Sequence, residues 1–227
     1  MAQITDLIIN ILLLAPPILL ALTVHEASHG LLAYYFGDPT AKFAGRLTLN
    51  PLKHLDPLGT LVFFISAWLG SGFGWAKPVP VDYRNLRNPR RDGMFISAAG
   101  PAANLITAVL LALIFNLLIS LGVFRQEFWG TASAYLVLFL YRAVFINVIL
   151  AFFNLIPLPP LDGSGILAGL LSQRAAYRYQ QVERYGFFII MALIFLPGML
   201  PGFPNLIRWF VVAPAGWLTS LLLPWIR

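Results

Sequence analysis

The chain has 227 residues, of which 59% are hydrophobic and 11% charged, with a formal net charge of +6 and no cysteine. A water-soluble domain carries roughly 25% charged residues, so this composition excludes that class and points to a polytopic membrane protein. Without cysteine, neither a disulfide framework nor a thiolate metal site can form. The basic residues make no long run suited to nucleic acid and fall between apolar segments instead.

In chain order, apolar segments are predicted at 7–36, 58–71, 93–122, 131–158, 185–200 and 206–226. The opening stretch MAQITDLIIN lacks a basic region and a small-residue cleavage site, so it reads as the start of a retained helix. A spanning helix needs about 20 residues, which five of the segments approach; segment 58–71 is short and is predicted to be re-entrant. The basic residues agree with that reading. With the N-terminus outside and 58–71 dipping in and back, the loops 37–92 and 172–184 are cytoplasmic and carry most of the Lys and Arg. Only Arg125 and Arg208 then lie outside, and Arg142 falls within a span without an assigned role.

Two stretches alternate like strands. AKFAGRLTLN sets Phe43, Leu47 and Leu49 against Lys42, Arg46 and Thr48. AKPVPVDY sets Val79, Val81 and Tyr83 against Pro78, Pro80 and Asp82. Proline cannot donate to a ladder, so the second stretch is an edge strand or an ordered proline-rich loop. Gly70, Gly72 and Gly74 suit a turn before it at the membrane face. The predicted fold is an α-helical polytopic membrane protein of five to six membrane segments, one of them short and re-entrant, with a small membrane-associated strand or loop element. It forms one domain over 1–227, with a catalytic core at about 7–170 and two C-terminal spans at about 185–226.

The stretch LTVHEASHGLLAYYFG, residues 22–37, places three ionisable groups inside the first apolar segment. Such groups are expensive in hydrocarbon and mark working sites. His25 and His29 are four apart and share one helix face, with Glu26 beside the first. In H-E-x-x-H the two imidazoles bind zinc and the glutamate moves protons for a water. A catalytic zinc site takes three protein ligands and leaves one position open. Two residues are candidates for the third ligand: His54 in NPLKHLDPLG and Asp162 in NLIPLPPLDG. Residue chemistry alone leaves that choice open.

HEASH in a membrane helix, AAGPAAN at 98–104 and NLIPLPPLDG at 154–163 together resemble the site-2 protease family of intramembrane zinc metalloproteases. NPLKHLDPLGT and GFGWAKPVPV resemble stretches of its compact prokaryotic members. The resemblance covers about residues 20 to 170. It implies one zinc per chain bound by His25, His29 and Asp162, with Glu26 as general base. It also implies that Asn154 holds substrate backbone or the developing oxyanion. The chain leaves no room for the PDZ insertion or CBS module of some relatives. His54 is then free for a role beside the metal, in the transition state or in stabilising its own turn. Gly100, Pro101 and Asn104 are expected to serve close helix packing and an interhelical hydrogen bond.

The expected function is hydrolysis of peptide bonds within or near transmembrane segments, in a prokaryotic cell membrane with the active site towards the cytoplasm. Its partners are transmembrane protein substrates and the lipid bilayer, not nucleic acid; oligomeric state is not legible. The strand through Val79 and Val81 is expected to pair with an unwound substrate. The rival readings are a metal transporter, which would show ionisable residues along a path and an inverted repeat, and a scaffold for membrane clients, which needs no Glu26.

Overall fold

The structure, a computed structural model, describes residues 2–68, 74–124, 131–200 and 202–225. The helices in chain order are α1 (Ala2–Tyr35), α2 (Thr40–Phe43), α3 (Pro57–Trp68), α4 (Pro89–Ser120), α5 (Thr131–Asn154), α6 (Asp162–Leu170), α7 (Gln173–Gln180), α8 (Glu183–Met199) and α9 (Ala213–Leu222). A π-helical stretch, Arg208–Val212, runs directly into α9.

Among the described residues, three helices are long and apolar enough to cross a membrane: Ile9–Tyr35, Pro89–Ser120 and Ala132–Asn154. The pair α7 and α8, bent by 59°, makes a fourth if it is one broken span. The five to six segments predicted from apolar length are not confirmed by these helices. The 17 residues of α8 rise about 25 Å at 1.5 Å each, less than a hydrocarbon core of about 30 Å. In the last apolar segment the π-helical stretch continues into α9 without a break.

The predicted strands do not form a sheet among the described residues, where one isolated bridge, Leu55 to Ala76, is present. In 41–50 the backbone N–H groups find local acceptors instead. The Asp38 carboxylate accepts from the backbone N–H and hydroxyl of Thr40, opening the single turn α2, and Arg46 N–H donates to Ala41 O. Stretch 76–83 takes the loop form. Pro78 and Pro80 have no N–H, and the N–H groups of Lys77, Val79 and Asp82 go to the His54 carbonyl, Glu26 and Asp38.

The chain leaves and returns at one place around α3. Asp56 Oδ1 caps the helix start by accepting from Gly59 N–H at 2.7 Å. Lys77 N–H then donates to His54 O at 2.9 Å, beside the Leu55–Ala76 bridge. Gly59 lies so close to the Trp75 backbone that a Cβ would collide with it. Of the segment 58–71 predicted to be re-entrant, the structure describes the helix to Trp68 and the closeness of Leu55 to Ala76, while residues 69–71 lie outside the described ones.

Helix α4 is the central element and packs on α1, α5 and α6. Ala108, Ala112, Phe115, Val144, Val148, Ala215 and Leu223 form an apolar core between α4, α5 and α9. A smaller cluster of Ala33, Leu86 and Ile96 lies between the ends of α1 and α4. Helices α4 and α6 touch through glycine: Gly165 faces Ser97 and Gly169 faces Met94, with no space for a Cβ at either. This antiparallel register carries Asp162, the first residue of α6, to the level of Gly100. The site is built there.

Candidate metal centre and catalytic site

His25, Glu26 and His29 occupy adjacent turns of α1, and the two imidazoles project side by side with ring centroids 4.7 Å apart. Both rings are buried against Gly100 of α4. A Cβ at Gly100 would lie 2.5 Å from His25 Cε1 and 2.5 Å from His29 Nε2. Glycine is the residue that lets two helices approach with two imidazoles between them. Asp162 closes the group from α6: its Oδ2 is 3.0 Å from His25 Nε2 and its Oδ1 is 3.4 Å from His29 Nε2. The prolines before Leu161 end the preceding turn, and a carboxylate in the first turn of α6 suits the positive end of that helix.

The remaining ring nitrogens are fixed. His25 Nδ1–H donates to Asn104 Oδ1 at 2.6 Å, and His29 Nδ1–H donates to the Ile96 carbonyl at 2.7 Å. With the proton on Nδ1 in each ring, both Nε2 atoms present lone pairs to the Asp162 carboxylate. Two lone pairs and an anion facing one another suit a cation between them. Asp162 Oδ2 is buried and has no hydrogen-bond partner. One donor atom from each of the three residues lies within 4.8 Å of the others. Zinc bonds of about 2.0–2.2 Å at tetrahedral angles put donor atoms about 3.4 Å apart, close to the separations observed. Two imidazole nitrogens and one carboxylate oxygen are a donor set that zinc takes in catalytic sites. The residues present fit the ion.

Glu26 is beside the group, on the side of the strap formed by residues 77–82. Val79 N–H donates to Glu26 Oε2 at 2.8 Å, and the Val79 side chain packs at Gly30, one turn further along α1. Two side chains hold the strap there. Asp38 Oδ2 accepts from Asp82 N–H at 2.8 Å, while its Oδ1 accepts from Asn85 at 2.9 Å. Arg46 donates to Lys77 O. Burial alone would raise the Asp38 carboxyl, but the hydrogen bonds from Thr40, Asn85 and Asp82 outweigh it and hold the group below the usual carboxylate range. Val81 is half-buried and packs on the Ala33, Leu86 and Ile96 cluster.

The sequence candidates thus divide. His25, His29 and Asp162 come together with Glu26 adjacent and Val79 hydrogen-bonded to it. His54 is buried in its own loop, where Nε2–H donates to Thr48 O at 2.8 Å. Asn154, half-buried at the end of α5, donates to Leu150 O at 3.0 Å. The next two carbonyls, Leu155 and Ile156, lie against Gly163 beside Asp162. Asn147, Asp38 and Arg46 were not singled out from sequence as parts of the site. Asn147 carried one usable signal, an amide in the middle of an apolar span. Asp38 and Arg46 lie in a polar loop where such residues are ordinary.

Comparison with known proteins settles the family. The sequence profile of peptidase family M50 matches residues 13–197. The chain belongs to peptidase family M50, that of the site-2 proteases. The M50 match includes α1 from Leu13 onward, the strap, α4, α5, α6 and nearly all of α8, and so every residue of the site. Among relatives, the chain is 41% identical over 180 residues to the candidate zinc metalloprotease YwhC of Bacillus subtilis, covering 79% of this chain and 78% of that protein. It is 33% identical over 219 residues to the candidate zinc metalloprotease Rip2 of Mycolicibacterium smegmatis, covering 91% of this chain and 79% of the other. Rip2 of Mycobacterium tuberculosis is 28% identical over 194 residues. No solved structure matches. The family and the apolar helices make the chain an integral membrane metalloprotease whose substrates are membrane proteins.

Proposed function

We propose that this M50 member hydrolyses peptide bonds within or beside transmembrane segments, with His25, His29 and Asp162 as zinc ligands and Glu26 as general base. The observation that carries the reading is the convergence of three donor atoms within 4.8 Å, from α1 and α6, next to a glutamate anchored by a backbone N–H. Zinc held by these residues would supply a Lewis acid for the scissile carbonyl and for a water near neutral pH.

The protein's own groups do the rest. Glu26 keeps Oε2 in its bond to Val79 N–H and turns Oε1 to the water proton, which it later gives to the leaving nitrogen. Asn154 has a second amide hydrogen beyond the one donated to Leu150 O, and that hydrogen serves the substrate carbonyl as negative charge develops. Of the two roles weighed for His54, the bonds to Thr48 O and Lys77 N–H support the one in its own turn, holding the base of the α3 excursion.

Domain and membrane placement belong to the same reading. Residues 1–227 act as one domain, with α3 re-entrant and the C-terminal helices as additional membrane segments, two spans as counted from sequence. The site faces the cytoplasmic side of a prokaryotic cell membrane, where the basic loops lie. Substrate pairing on the strap uses Val81 and the carbonyl groups, or begins by releasing Val79 from Glu26, because the other N–H groups are already engaged. A transport reading finds no support in ionisable groups that converge on one point.

Glu26→Gln tests this directly. The purified variant is expected to hold one zinc per chain and to lose cleavage of a transmembrane reporter by about 10²–10⁴-fold. Cleavage at the wild-type rate would overturn the assignment of the base. A wild-type enzyme that binds zinc yet cuts no membrane substrate would favour the scaffold.

A further inference from the structure

Asn147 lies midway along α5, is wholly buried, and has no part in the chemistry above. Its hydrogen bonds have a definite direction. Asn147 Nδ2 donates to the Ala143 carbonyl at 2.8 Å, and a carbonyl can only accept. Asn147 Oδ1 is therefore the atom turned towards α4, where it accepts from Asn104 Nδ2 at 3.0 Å. The other hydrogen of Asn104 Nδ2 goes to the Ala21 carbonyl at 2.9 Å. With both amide hydrogens committed, Asn104 can present only Oδ1 to His25, at 2.6 Å from Nδ1. The His25 proton must then sit on Nδ1, and the lone pair on Nε2 faces Asp162.

We propose that Asn147 is a positioning residue for the metal centre: through the Asn104 amide it fixes which nitrogen of His25 carries the proton, and so which can bind metal. The proposal rests on the reading of His25 as a zinc ligand. A flipped Asn104 would present N–H₂ to His25, forcing the proton onto Nε2 and removing that ligand atom. The flip would also set its oxygen against the Ala21 carbonyl and Asn147 Oδ1. His29 needs no such relay. Its Nδ1–H donates to the backbone carbonyl of Ile96, whose polarity is built into the helix. The two ligands are thus oriented by different means: one directly by a main-chain group, the other through the Asn104 amide, which Asn147 and the Ala21 carbonyl orient together.

The competing account is that Asn147 only fills space between α4 and α5, which Leu would do equally well. The protein has three histidines, so histidine-labelled metal-free protein gives three pairs of ring nitrogen resonances. These distinguish a protonated nitrogen from a bare one at a pH where the rings are neutral. In the wild type His25 is expected as a single Nδ1–H tautomer. Asn147→Leu is expected to mix the tautomers of His25, leave His29 unchanged, and weaken zinc binding about tenfold in competition with a chromophoric chelator. Asn147→Asp is expected to keep both properties, because its protonated carboxyl offers the same acceptor and donor. A generally disordered variant would disturb His29 as well; in that case Asn147→Ala takes the place of Asn147→Leu, with the same expectation.

A single His25 tautomer with wild-type affinity in the apolar variant would overturn the relay. So would an Asp variant as impaired as Leu. His25→Gln separates this from the ligand reading: zinc held there at wild-type affinity would sink the ligand assignment, while the tautomers of the metal-free protein would still test the relay.

Discussion

The junction of α1, α4, α5 and α6 and the C-terminal pair α8 and α9 are both built from apolar helices, yet they use burial in opposite ways. At the junction the buried residues include His25, His29, Asn104 and Asn147, each with a named partner. In α8 and α9 the large side chains point outward: Phe188, Trp217 and Leu221 are exposed, and the buried positions are small or apolar apart from Thr219. Where lipid covers the surface, apolar side chains outside cost nothing, and helix contact depends on close packing and hydrogen bonds. The junction spends its small residues on bringing polar groups together, the C-terminal pair on contact alone. Function should therefore be sensitive at the junction and tolerant in α8 and α9.

The largest expected effect is at Asp162. Asp162→Ala removes a ligand atom, and zinc affinity should fall by more than the 10–100-fold typical of groups that merely support a ligand. His54→Ala should leave the metal in place and affect mainly rate. A metal assay on the two purified variants checks the pair; zinc lost from His54→Ala and kept by Asp162→Ala would reverse the ligand set.

Gly100→Ala comes next. Alanine in a helix interior is favoured over glycine by about 1 kcal/mol, so α4 should not weaken. Its Cβ would nevertheless meet both imidazoles, whose hydrogen bonds to Asn104 and Ile96 leave them little room to move. Zinc affinity should drop about 10–100-fold, and the overlap should cost about 1–3 kcal/mol of stability, offset in part by the better helix former. Wild-type affinity in that variant would mean that the rings yield more easily than their bonds imply.

Val79→Pro removes the N–H that holds Glu26 Oε2 and should leave zinc bound. One hydrogen bond to a charged group is worth about 1.5–3 kcal/mol, so cleavage should slow about ten- to a hundredfold. A faster enzyme would instead identify the strap as a cover that must lift from the base. At the other end of the scale, Trp217→Leu on the exposed face of α9 should change zinc binding and rate by less than about threefold. A tenfold loss there would break the contrast between the two regions.

Sequence by itself determined the class, the chemistry and two of the proposed zinc ligands. Low charge requires a membrane solvent, and the spacing of His25 and His29 puts both imidazoles on one helix face whatever the rest of the chain does. Local rules of that kind hold because one helix contains all the atoms concerned. Spacing could not choose between His54 and Asp162, which are 108 residues apart; the family resemblance pointed to Asp162, and the register of α4 on α6 brings that residue to the two imidazoles. Alternation in 41–50 and 76–83 suggested strands, but a strand needs a partner for its N–H groups, and those groups had nearer acceptors in Pro39, Ala41, His54, Glu26 and Asp38. The number of spans followed apolar length in sequence, whereas in the structure three described helices reach spanning length and the α7–α8 pair adds a fourth if the bent pair is one span. Tertiary packing alone decided the orientation of the rings. The proton position on His25 depends on an amide from α4 and another from α5, 43 residues apart, and no periodicity in one chain records which way an amide points across a helix interface.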